Sequence, residues 1–286
     1  MQHGASATDV AVLAENCTLC MACEPVCPEK IDIFGLILEL RRQRDVPNWL
    51  HDLQAQMAEK AARQITMLPS SSTVFLPDQV LHAYPGILAH ISSLLGSDSL
   101  IPIGDDDGSD LSLALESGVV ISEQRLKRFL EPLRQLKKII VSDGLLLRYL
   151  RKWLPNVNII GLGEELSGLA EVRRGLRPSD LYVIEPRAYH ADYQRLVKYY
   201  DRLRVSCGCA INLDLQRIAI PVTVHNLPTR MGMTASNDDG QTRWVLHGLN
   251  ITRIVVESLE GSADLEKVSG FPVVHLADLA NHSHDH

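Results

Sequence analysis

The sequence lacks the features that mark several large functional classes. It has 28 Lys and Arg against 35 Asp and Glu, a formal net charge of −7, so no basic stripe is available to neutralise the phosphates of a nucleic acid. No apolar run approaches the eighteen residues that a membrane-spanning helix needs. A Walker A loop, a GxSxG elbow and a GxGxxG motif after a strand are also absent, which leaves no support for a nucleotide or flavin site.

The first six residues contain neither a basic segment nor an apolar one, so no secretory leader is expected. A hydrophobic content of 45% and a mean hydropathy near zero are typical of a globular chain. We therefore expect a cytoplasmic protein, because thiols stay reduced in that compartment. A length of 286 residues suits a small module joined to one or two ordinary domains.

Cysteine is scarce, but its distribution is informative. The chain has six cysteines, of which four follow the pattern C-x2-C-x2-C-x3-C-P at Cys17, Cys20, Cys23 and Cys27. Thiolates at intervals of three residues can surround one face of a [4Fe–4S] cube from a single loop. The sequence therefore predicts a [4Fe–4S] cofactor held by these four residues.

Zinc binding and disulfide bonding are the two alternative uses of these cysteines. Structural zinc sites usually take two C-x2-C pairs separated by a dozen or more residues, so that two turns close a tetrahedron. A disulfide framework would require strained local loops at these spacings. Both alternatives fit the pattern less well than an iron–sulfur cluster.

The fourth cluster ligand is not fixed by the motif. In two-cluster ferredoxins the Pro-adjacent cysteine of such a run ligates the other cluster, and this chain has no second motif. Three solutions stay open: Cys27 closes the same cluster, Cys207 or Cys209 supplies the fourth thiolate, or a partner chain does. Local closure by Cys27 is preferred, because it avoids ordering a long loop.

Two helices are predicted after the cysteines. Residues 30–43 place apolar side chains at helical spacing, and Arg41 and Arg42 suit the negative end of the helix dipole; this helix is expected to cover the cluster. A second helix is predicted for residues 48–64, beginning after Pro47 and packing an apolar stripe into the core. Residues 68–73 are rich in turn formers and are the predicted linker.

The remainder of the chain alternates short β-branched runs with helical patterns. Such alternation predicts an α/β fold with parallel sheets. The predicted strands cover residues 74–76, 100–103, 138–141 and 157–160, and the predicted helices cover 84–95, 122–136 and 145–154.

The pattern then starts again. Residues 76–83 align with 184–191 at an offset of 108, which places His82 opposite His190, and two later strands align at offsets of 115 and 114. A duplicated α/β unit is the simplest account. The predicted domains are a small all-helical module (1–68), a first α/β repeat (69–175) and a second α/β repeat (176–286).

The motif and the helix that follows it, residues 17–43, resemble the second cluster motif of the ferredoxin-like subunit of heterodisulfide reductase. The two repeats resemble the CCG-domain pair of the catalytic heterodisulfide reductase subunit. A similar arrangement occurs in iron–sulfur subunits of glycolate oxidase and anaerobic glycerol-3-phosphate dehydrogenase. The family's first cluster motif is missing, and of its CCG ligands only Cys207-Gly208-Cys209 remains, so the family's noncubane clusters do not transfer.

The resemblance implies an electron-transfer iron–sulfur subunit of a cytoplasmic redox complex, working with flavin-containing or iron–sulfur subunits and not itself catalytic. One alternative is a thiol/disulfide or hydroxy-acid oxidoreductase that acts at Cys207 and Cys209. Another is a structural or sensor iron–sulfur protein.

Other polar groups receive structural interpretations. The acidic stretches 105–110 and 237–240 are expected to be solvated turns. His82 and His190 are expected to be structural histidines bonded to a backbone carbonyl. The His-containing residues 281–286 are expected to form a frayed tail.

Overall fold

The computed structural model describes residues 7–44, 48–64, 73–96, 99–100, 106–215, 219–233 and 239–284. Eight described strands form two four-stranded parallel sheets. The strands are β1 (Thr73–Leu76), β2 (Ser99–Leu100), β3 (Lys138–Val141), β4 (Asn158–Gly161), β5 (Asp180–Val183), β6 (Ala210–Ile211), β7 (Arg253–Val256) and β8 (Val273–His275). The first sheet has the order β2-β1-β3-β4 and the second β6-β5-β7-β8, so the α/β class and the two parallel sheets are confirmed.

Helices precede the sheets and cover them. The N-terminal helices are α1 (Ala7–Asn16), α2 (Ile33–Arg42) and α3 (Asn48–Ala62). The first repeat has α4 (Gln79–His82), α5 (Pro85–Leu94), α6 (Ser109–Ser117), α7 (Glu123–Leu130), α8 (Gly144–Trp153), α9 (Leu162–Gly168) and α10 (Ala170–Arg174). The second has α11 (Pro186–Ala191), α12 (Tyr193–Cys207), α13 (Leu227–Arg230), α14 (Asp239–Leu246) and α15 (Ser262–Ser269), with 3-10 helices at Asn212–Leu215, Pro221–Thr223 and Leu276–His284.

The two sheets have the same strand order, and their central strands pair in the same register. In the first sheet Thr73 pairs with Lys138, and in the second Asp180 pairs with Arg253, which relates β1 to β5 by 107 residues. The predicted offset of 108 is therefore wrong by one residue. The later offsets of 115 and 114 agree with the pairing of β3 with β4 and of β7 with β8.

The strands are short and almost fully apolar because helices cover both faces of each sheet. In β3, Ile139, Ile140 and Val141 are buried. In β7 the buried residues are Ile254, Val255 and Val256. The predicted strand 100–103 is seen at Ser99–Leu100, and residues 101–103 lie outside the described part.

The N-terminal helices pack directly on the first repeat. Phe34, Ile37 and Leu38 of α2 form the apolar face that the sequence predicts, and they share one hydrophobic cluster with Leu115 of α6 and Leu145 of α8. The described part of this module therefore has no separate core of its own. The linker predicted at residues 68–73, and with it the boundary at 68/69, falls almost wholly outside the described residues.

The two repeats are joined closely at α8 and α11. A Cβ added to Gly144 would lie 2.2 Å from the amide nitrogen of Ala188, so the helices approach backbone to backbone. The C-terminal 3-10 helix also crosses over, since His90 Nε2 lies 3.0 Å from the Ala277 carbonyl oxygen. This 3-10 helix continues to His284, which corrects the predicted frayed tail as far as residue 284.

Of the acidic stretch 105–110, the described residues 106–110 do not form a solvated turn, and residue 105 lies outside the described part. Asp110 is buried and accepts hydrogen bonds from Lys60 at 3.1 Å and from Arg125 at 2.7 and 2.8 Å. Asp106 binds the same Arg125, and Asp107 binds His82 at 2.7 Å. The prediction failed because the cations come from distant positions of the chain.

Two further predictions have mixed outcomes. Of the acidic stretch 237–240, Asp239 and Gly240 open helix α14 and do not form a turn, while residues 237 and 238 lie outside the described part. His190 Nδ1 lies 2.8 Å from the Pro186 carbonyl oxygen, as expected of a structural histidine. His82 instead pairs with a carboxylate.

No described helix has both the length and the apolar character required to cross a bilayer.

Candidate functional site

The cysteine loop, residues 17–27, connects α1 to α2. Two of its non-glycine residues, Leu19 and Met21, have φ angles of 53° and 60°, a left-handed conformation that L-residues seldom adopt. Both side chains are 2% exposed and belong to the hydrophobic cluster under α2. The burial of these two side chains offsets the cost of the left-handed backbone on either side of Cys20.

Arg41 anchors the start of this loop. Its guanidinium is buried and donates hydrogen bonds to the carbonyl oxygens of Ala14 at 3.0 Å, Cys17 at 2.5 Å and Glu116 at 2.7 Å. From the sequence, Arg41 was expected only to interact with the negative end of the helix dipole. In the fold it satisfies carbonyls that the end of α1 leaves without intrahelical partners.

The second repeat contacts the same loop from the other side. Arg187 of α11 donates to the Thr18 carbonyl oxygen at 2.5 and 3.0 Å and to Glu116 Oε1 at 3.0 Å. His190 lies against the backbone of Cys20, and burial lowers its pKa. The cysteine loop is therefore contacted by α2, the first repeat and α11.

Arg148 of α8 supports the middle of the loop. It donates to Met21 Sδ and to Glu24, each at 3.0 Å, and its guanidinium lies 4.8 Å from the ring centroid of Phe34. With Arg41 and Arg187, it is the third arginine that contacts the loop. Arg148 is paired with Glu24 and Arg187 with Glu116, whereas the charge of Arg41 acts on Cys17, and a nearby positive charge favours an anionic ligand.

The first three thiols lie close enough to interact. The pKa of Cys23 is raised, first by burial and then by the neighbouring Cys20 and Cys17. Cys23 is exposed at the surface, whereas Cys17, Cys20 and Cys27 are partly buried. Cys27 follows in a turn, where its amide donates to the Glu24 carbonyl oxygen at 3.4 Å.

The loop supplies the thiol ligands that a cubane cluster would need. Burial and then repulsion from Cys20 and Cys17 raise the pKa of Cys23, and iron bound to the thiolates would relieve that repulsion. Within the described ranges, no three His, Cys, Asp or Glu side chains surround one point where a single ion would sit. A cube does not need such a point, because each of its thiolates binds a different iron.

The remaining cysteines lie elsewhere. Cys207 ends α12, Gly208 caps that helix with a φ of 70°, and Cys209 precedes β6 at the amino edge of the second sheet. The cysteine loop meets this sheet through α11, which follows the carboxyl end of β5. Opposite edges of a four-residue strand are separated by about 10 Å or more, so the described fold does not bring Cys207 or Cys209 to the loop.

The surroundings of Cys209 also make its thiol unreactive. It is 2% exposed, and its pKa is raised to about 12, chiefly by burial and then by Cys207 and Asp180. A thiol reacts as the thiolate, and at neutral pH this one stays protonated. The hypothesis of thiol chemistry at Cys209 therefore receives no support from its surroundings.

A cleft of about 570 Å³ lies between the two repeats, beside the cysteine loop. Residues that follow the carboxyl ends of both sheets line it, which is where α/β folds usually bind ligands. Four carboxyl groups contributed in this way are those of Asp78 after β1, Asp143 after β3, Glu185 after β5 and Glu260 after β7. Asp78 and Glu185 occupy equivalent positions, and each caps the helix that follows it.

An ion network connects this cleft to the cysteine loop. Glu116 is fully buried, accepts hydrogen bonds from Arg187 at 3.0 Å and Arg230 at 2.5 Å, and has a lowered pKa; burial opposes this lowering, and the arginines cause it. Arg230 also donates to Glu260 at 2.7 and 2.9 Å. Arg187 Nη2 thus donates both to the Thr18 carbonyl oxygen and to Glu116, which links the cysteine loop to the cleft network.

Two cleft carboxyls have raised pKa values. Burial raises the pKa of Asp78 to about 6 and that of Glu185 to about 8. Glu185 is therefore mainly protonated at neutral pH although it accepts hydrogen bonds from two backbone amides. Clustered groups with displaced pKa values in a cleft are common at functional sites.

The sequence did not identify Glu116, Arg187 or Arg230 as site residues. Arg187 stands within the segment aligned between the repeats, so the position after a predicted strand was an available clue. The sequence analysis gave no clue to Glu116, because helix α6, which carries it, was not predicted. The two glycines at its ends, Gly108 and Gly118, both with positive φ angles, could have indicated that helix.

Comparisons with known proteins add little. No family model matches the chain, and no curated protein sequence does. A solved structure with some likeness is Picrophilus torridus aspartate racemase, with 10% identity over 73% of this chain and 91% of that one, at a TM-score of 0.34. A TM-score this low supports no inference about function.

Proposed function

We propose that the chain binds one [4Fe–4S] cluster through Cys17, Cys20, Cys23 and Cys27 and serves as an electron-transfer subunit of a cytoplasmic redox complex. The resemblance to the heterodisulfide reductase family suggests flavin-containing or iron–sulfur subunits as its partners. A bound cluster supplies reversible one-electron transfer. The protein holds the ligands, sets their electrostatic surroundings and exposes one edge of the site.

The observation that carries this proposal is that three thiols of a C-x2-C-x2-C loop lie close enough to interact, in a loop that Arg41, Arg148 and Arg187 contact. The charge of Arg41 acts on Cys17, and the buried Leu19 and Met21 keep water from the inner side. These surroundings suit a cluster more than they suit free thiols.

Exposure of the site suits exchange of electrons with another protein. Cys23 is exposed, and apolar side chains near it in sequence are also open to solvent: Val26 is 75%, Ile31 55% and Leu36 52% exposed. Apolar surface rimmed by polar residues is typical of protein contact sites. The partner would dock here, with the cluster close to the contact.

The test is the metal content of protein purified without oxygen. We expect about four irons and four acid-labile sulfides per chain, and a reduced form with the EPR signal of a cubane cluster. Stoichiometric zinc without sulfide would contradict the proposal.

A separate variant tests which residue is the fourth cluster ligand. We expect Cys27→Ser to strip the cluster from the isolated chain, because local closure by Cys27 orders the least additional chain and is the preferred source of the fourth thiolate. A stable four-iron signal in that variant would show that the thiolate comes from elsewhere. Repeating the assay in the assembled complex then separates a partner's ligand from one in this chain.

A further inference from the structure

Glu116 lies in the last turn of α6 and contacts three arginines. It is fully buried. Its carbonyl oxygen accepts a hydrogen bond from Arg41 at 2.7 Å, and its two carboxylate oxygens accept from Arg187 at 3.0 Å and Arg230 at 2.5 Å. Burial alone would raise its pKa, but Arg187 and Arg230 hold that pKa below the ordinary value. The side chain is therefore an anion in the interior, and removing one partner of such a group is costly.

Two of these arginines also bind the start of the cysteine loop. Arg41 donates to the Cys17 carbonyl oxygen at 2.5 Å. Arg187 donates to the Thr18 carbonyl oxygen at 2.5 and 3.0 Å, and its Nη2 serves both Thr18 and Glu116. The donors of a guanidinium have fixed directions, so the bond to Glu116 decides where the remaining donors point. Only one guanidinium separates Glu116 from each of these two loop carbonyls.

The position of Glu116 is fixed by the end of α6. Gly118, two residues later, has a φ of 74°. A Cβ added there would lie 2.9 Å from the Leu38 carbonyl oxygen and 3.0 Å from the Arg42 amide nitrogen, so the chain contacts the backbone of α2. Because α2 is the helix that follows the cysteine loop, a shift of Glu116 relative to the loop would require movement of that helix.

We propose that Glu116 is the positioning residue of the cysteine loop: it orients Arg41 and Arg187 toward the loop carbonyls, and its charge lowers the reduction potential of a cluster bound there. Nearby charges and hydrogen bonds set the potential of such a cluster. Each added electron makes the cluster more negative, so a carboxylate close to it opposes reduction. The effect on the potential rests on the proposed function, whereas the orientation of the arginines is a property of the chain itself.

Glu260 provides a matched control. Burial would raise its pKa, but Arg230 lowers that pKa to about 2, and the side chain is 9% exposed. It accepts hydrogen bonds from Arg230 at 2.7 and 2.9 Å and from the His225 amide at 3.3 Å. Glu260 therefore matches Glu116 in charge and nearly in burial, but it lies one arginine farther from the loop.

The first measurement uses the full chain without iron, so it is independent of the cluster. Hydrogen–deuterium exchange with mass spectrometry reports the protection of peptides that cover residues 17–27. Glu116→Gln should speed exchange of this segment at least about tenfold, because Arg187 loses its charged acceptor. Glu260→Gln should change it by less than about twofold. Exchange of β3 shows in each variant whether the rest of the fold is intact.

The second measurement is a redox titration of the cluster-loaded chain, followed by EPR. Glu116→Gln removes a negative charge, so it should favour reduction about tenfold, a rise in potential of about 59 mV for one electron. Glu260→Gln should favour reduction by less than about threefold, because its charge is farther away.

A conservative variant separates position from charge. Glu116→Asp keeps the charge but shortens the side chain by one methylene, so its carboxylate should not reach both arginines. It should speed exchange of the loop as Glu116→Gln does and leave the reduction equilibrium within about threefold of the original. It also decides the loop result if Glu116→Gln does not fold.

Faster exchange of the loop in the two Glu116 variants, but not in Glu260→Gln, supports the positioning role. Unchanged exchange in Glu116→Asp and Glu116→Gln, or an equal rise in Glu260→Gln, would overturn it. In the loaded chain, a potential that falls or stays constant in Glu116→Gln would overturn the charge effect. If the unmodified chain holds no iron and sulfide, the charge effect fails together with the proposed function, and exchange of the loop still decides the positioning role.

Discussion

At the carboxyl edge of the second sheet, the thiols of Cys17, Cys20 and Cys23 lie together in a loop that Arg41, Arg148 and Arg187 contact. At the amino edge, Cys209 lies buried with a pKa of about 12, close to Asp180. Both regions carry cysteines in short spacing, yet only the first combines proximity, positive charge and exposure. Spacing in the sequence identifies possible ligands, and the surrounding charges and solvent access decide their chemistry.

The largest expected effect separates the two regions directly. Cys20→Ser should reduce iron from about four per chain to less than about one, because the cube loses a ligand. The double variant Cys207→Ser/Cys209→Ser should retain about four. Both are measured as iron and acid-labile sulfide after anaerobic purification. Loss of iron in the double variant would mean that the distant cysteines take part in the site.

The next prediction concerns the anchoring of the loop. Arg41→Met should lower the free energy of unfolding by about 3–5 kcal/mol, because several buried carbonyls lose a charged donor at once. Urea denaturation followed by circular dichroism measures this. The neighbouring Arg42→Met is the control, since Arg42 is half-exposed and pairs with Glu39 at the surface; a change within about 0.5 kcal/mol is expected there. Equal effects would show that Arg41 is not a specific anchor.

A third prediction compares the two ends of β5, where Asp180 is paired with Arg253 and Glu185 is not paired with a cation. Burial raises the pKa of Glu185 from 4.5 to about 8, so the folded chain holds this proton more tightly than the unfolded chain. Its contribution to stability is complete below pH 4.5 and is lost as the pH rises through about 8.

Glu185→Gln should remove that loss, which is on the order of a few kcal/mol. Unfolding free energies between pH 5 and 9 should therefore fall less steeply in the variant than in the unmodified chain. The exposed Glu266→Gln, in α15, should leave the slope unchanged. A Glu185→Gln variant with the original slope would place the titrating group elsewhere.

The smallest expected effect is kinetic. In cluster-free, folded protein at pH 8, Cys209 should be the last of the cysteines to react with iodoacetamide, because it is buried and mostly protonated. Mass spectrometry of tryptic peptides gives the order of labelling, and the exposed Cys23 is the internal comparison. Early labelling of Cys209 would reopen the hypothesis of a reactive thiol at that edge.

Much of the fold was readable from local pattern. The strand Lys138–Val141 was predicted to the residue, because buried parallel strands are short β-branched runs with sharp ends. The sequence predicts the repeat with an error of one residue between β1 and β5, because a run of similar apolar residues can be aligned in more than one way. The observed strand pairing fixes the alignment, since it places Thr73 beside Lys138 and Asp180 beside Arg253.

The parts that the sequence did not show depend on contacts between distant residues. Asp110 was expected to face water, and its partners Lys60 and Arg125 are 50 and 15 residues away. Glu116 and Arg230 are 114 residues apart and meet only in the folded cleft. Local pattern can propose a turn or a helix, but it cannot pair such charges.

The bond between Arg187 and the Thr18 carbonyl spans 169 residues, and this separation has a consequence for biosynthesis. At about 5–20 residues per second, the ribosome releases the cysteine loop roughly ten to thirty seconds before α11. During that interval the thiols are present but their outer support is not. Iron and sulfide delivered to the nascent chain would meet an open loop, so we expect cluster insertion to be most efficient after synthesis of the whole chain is complete.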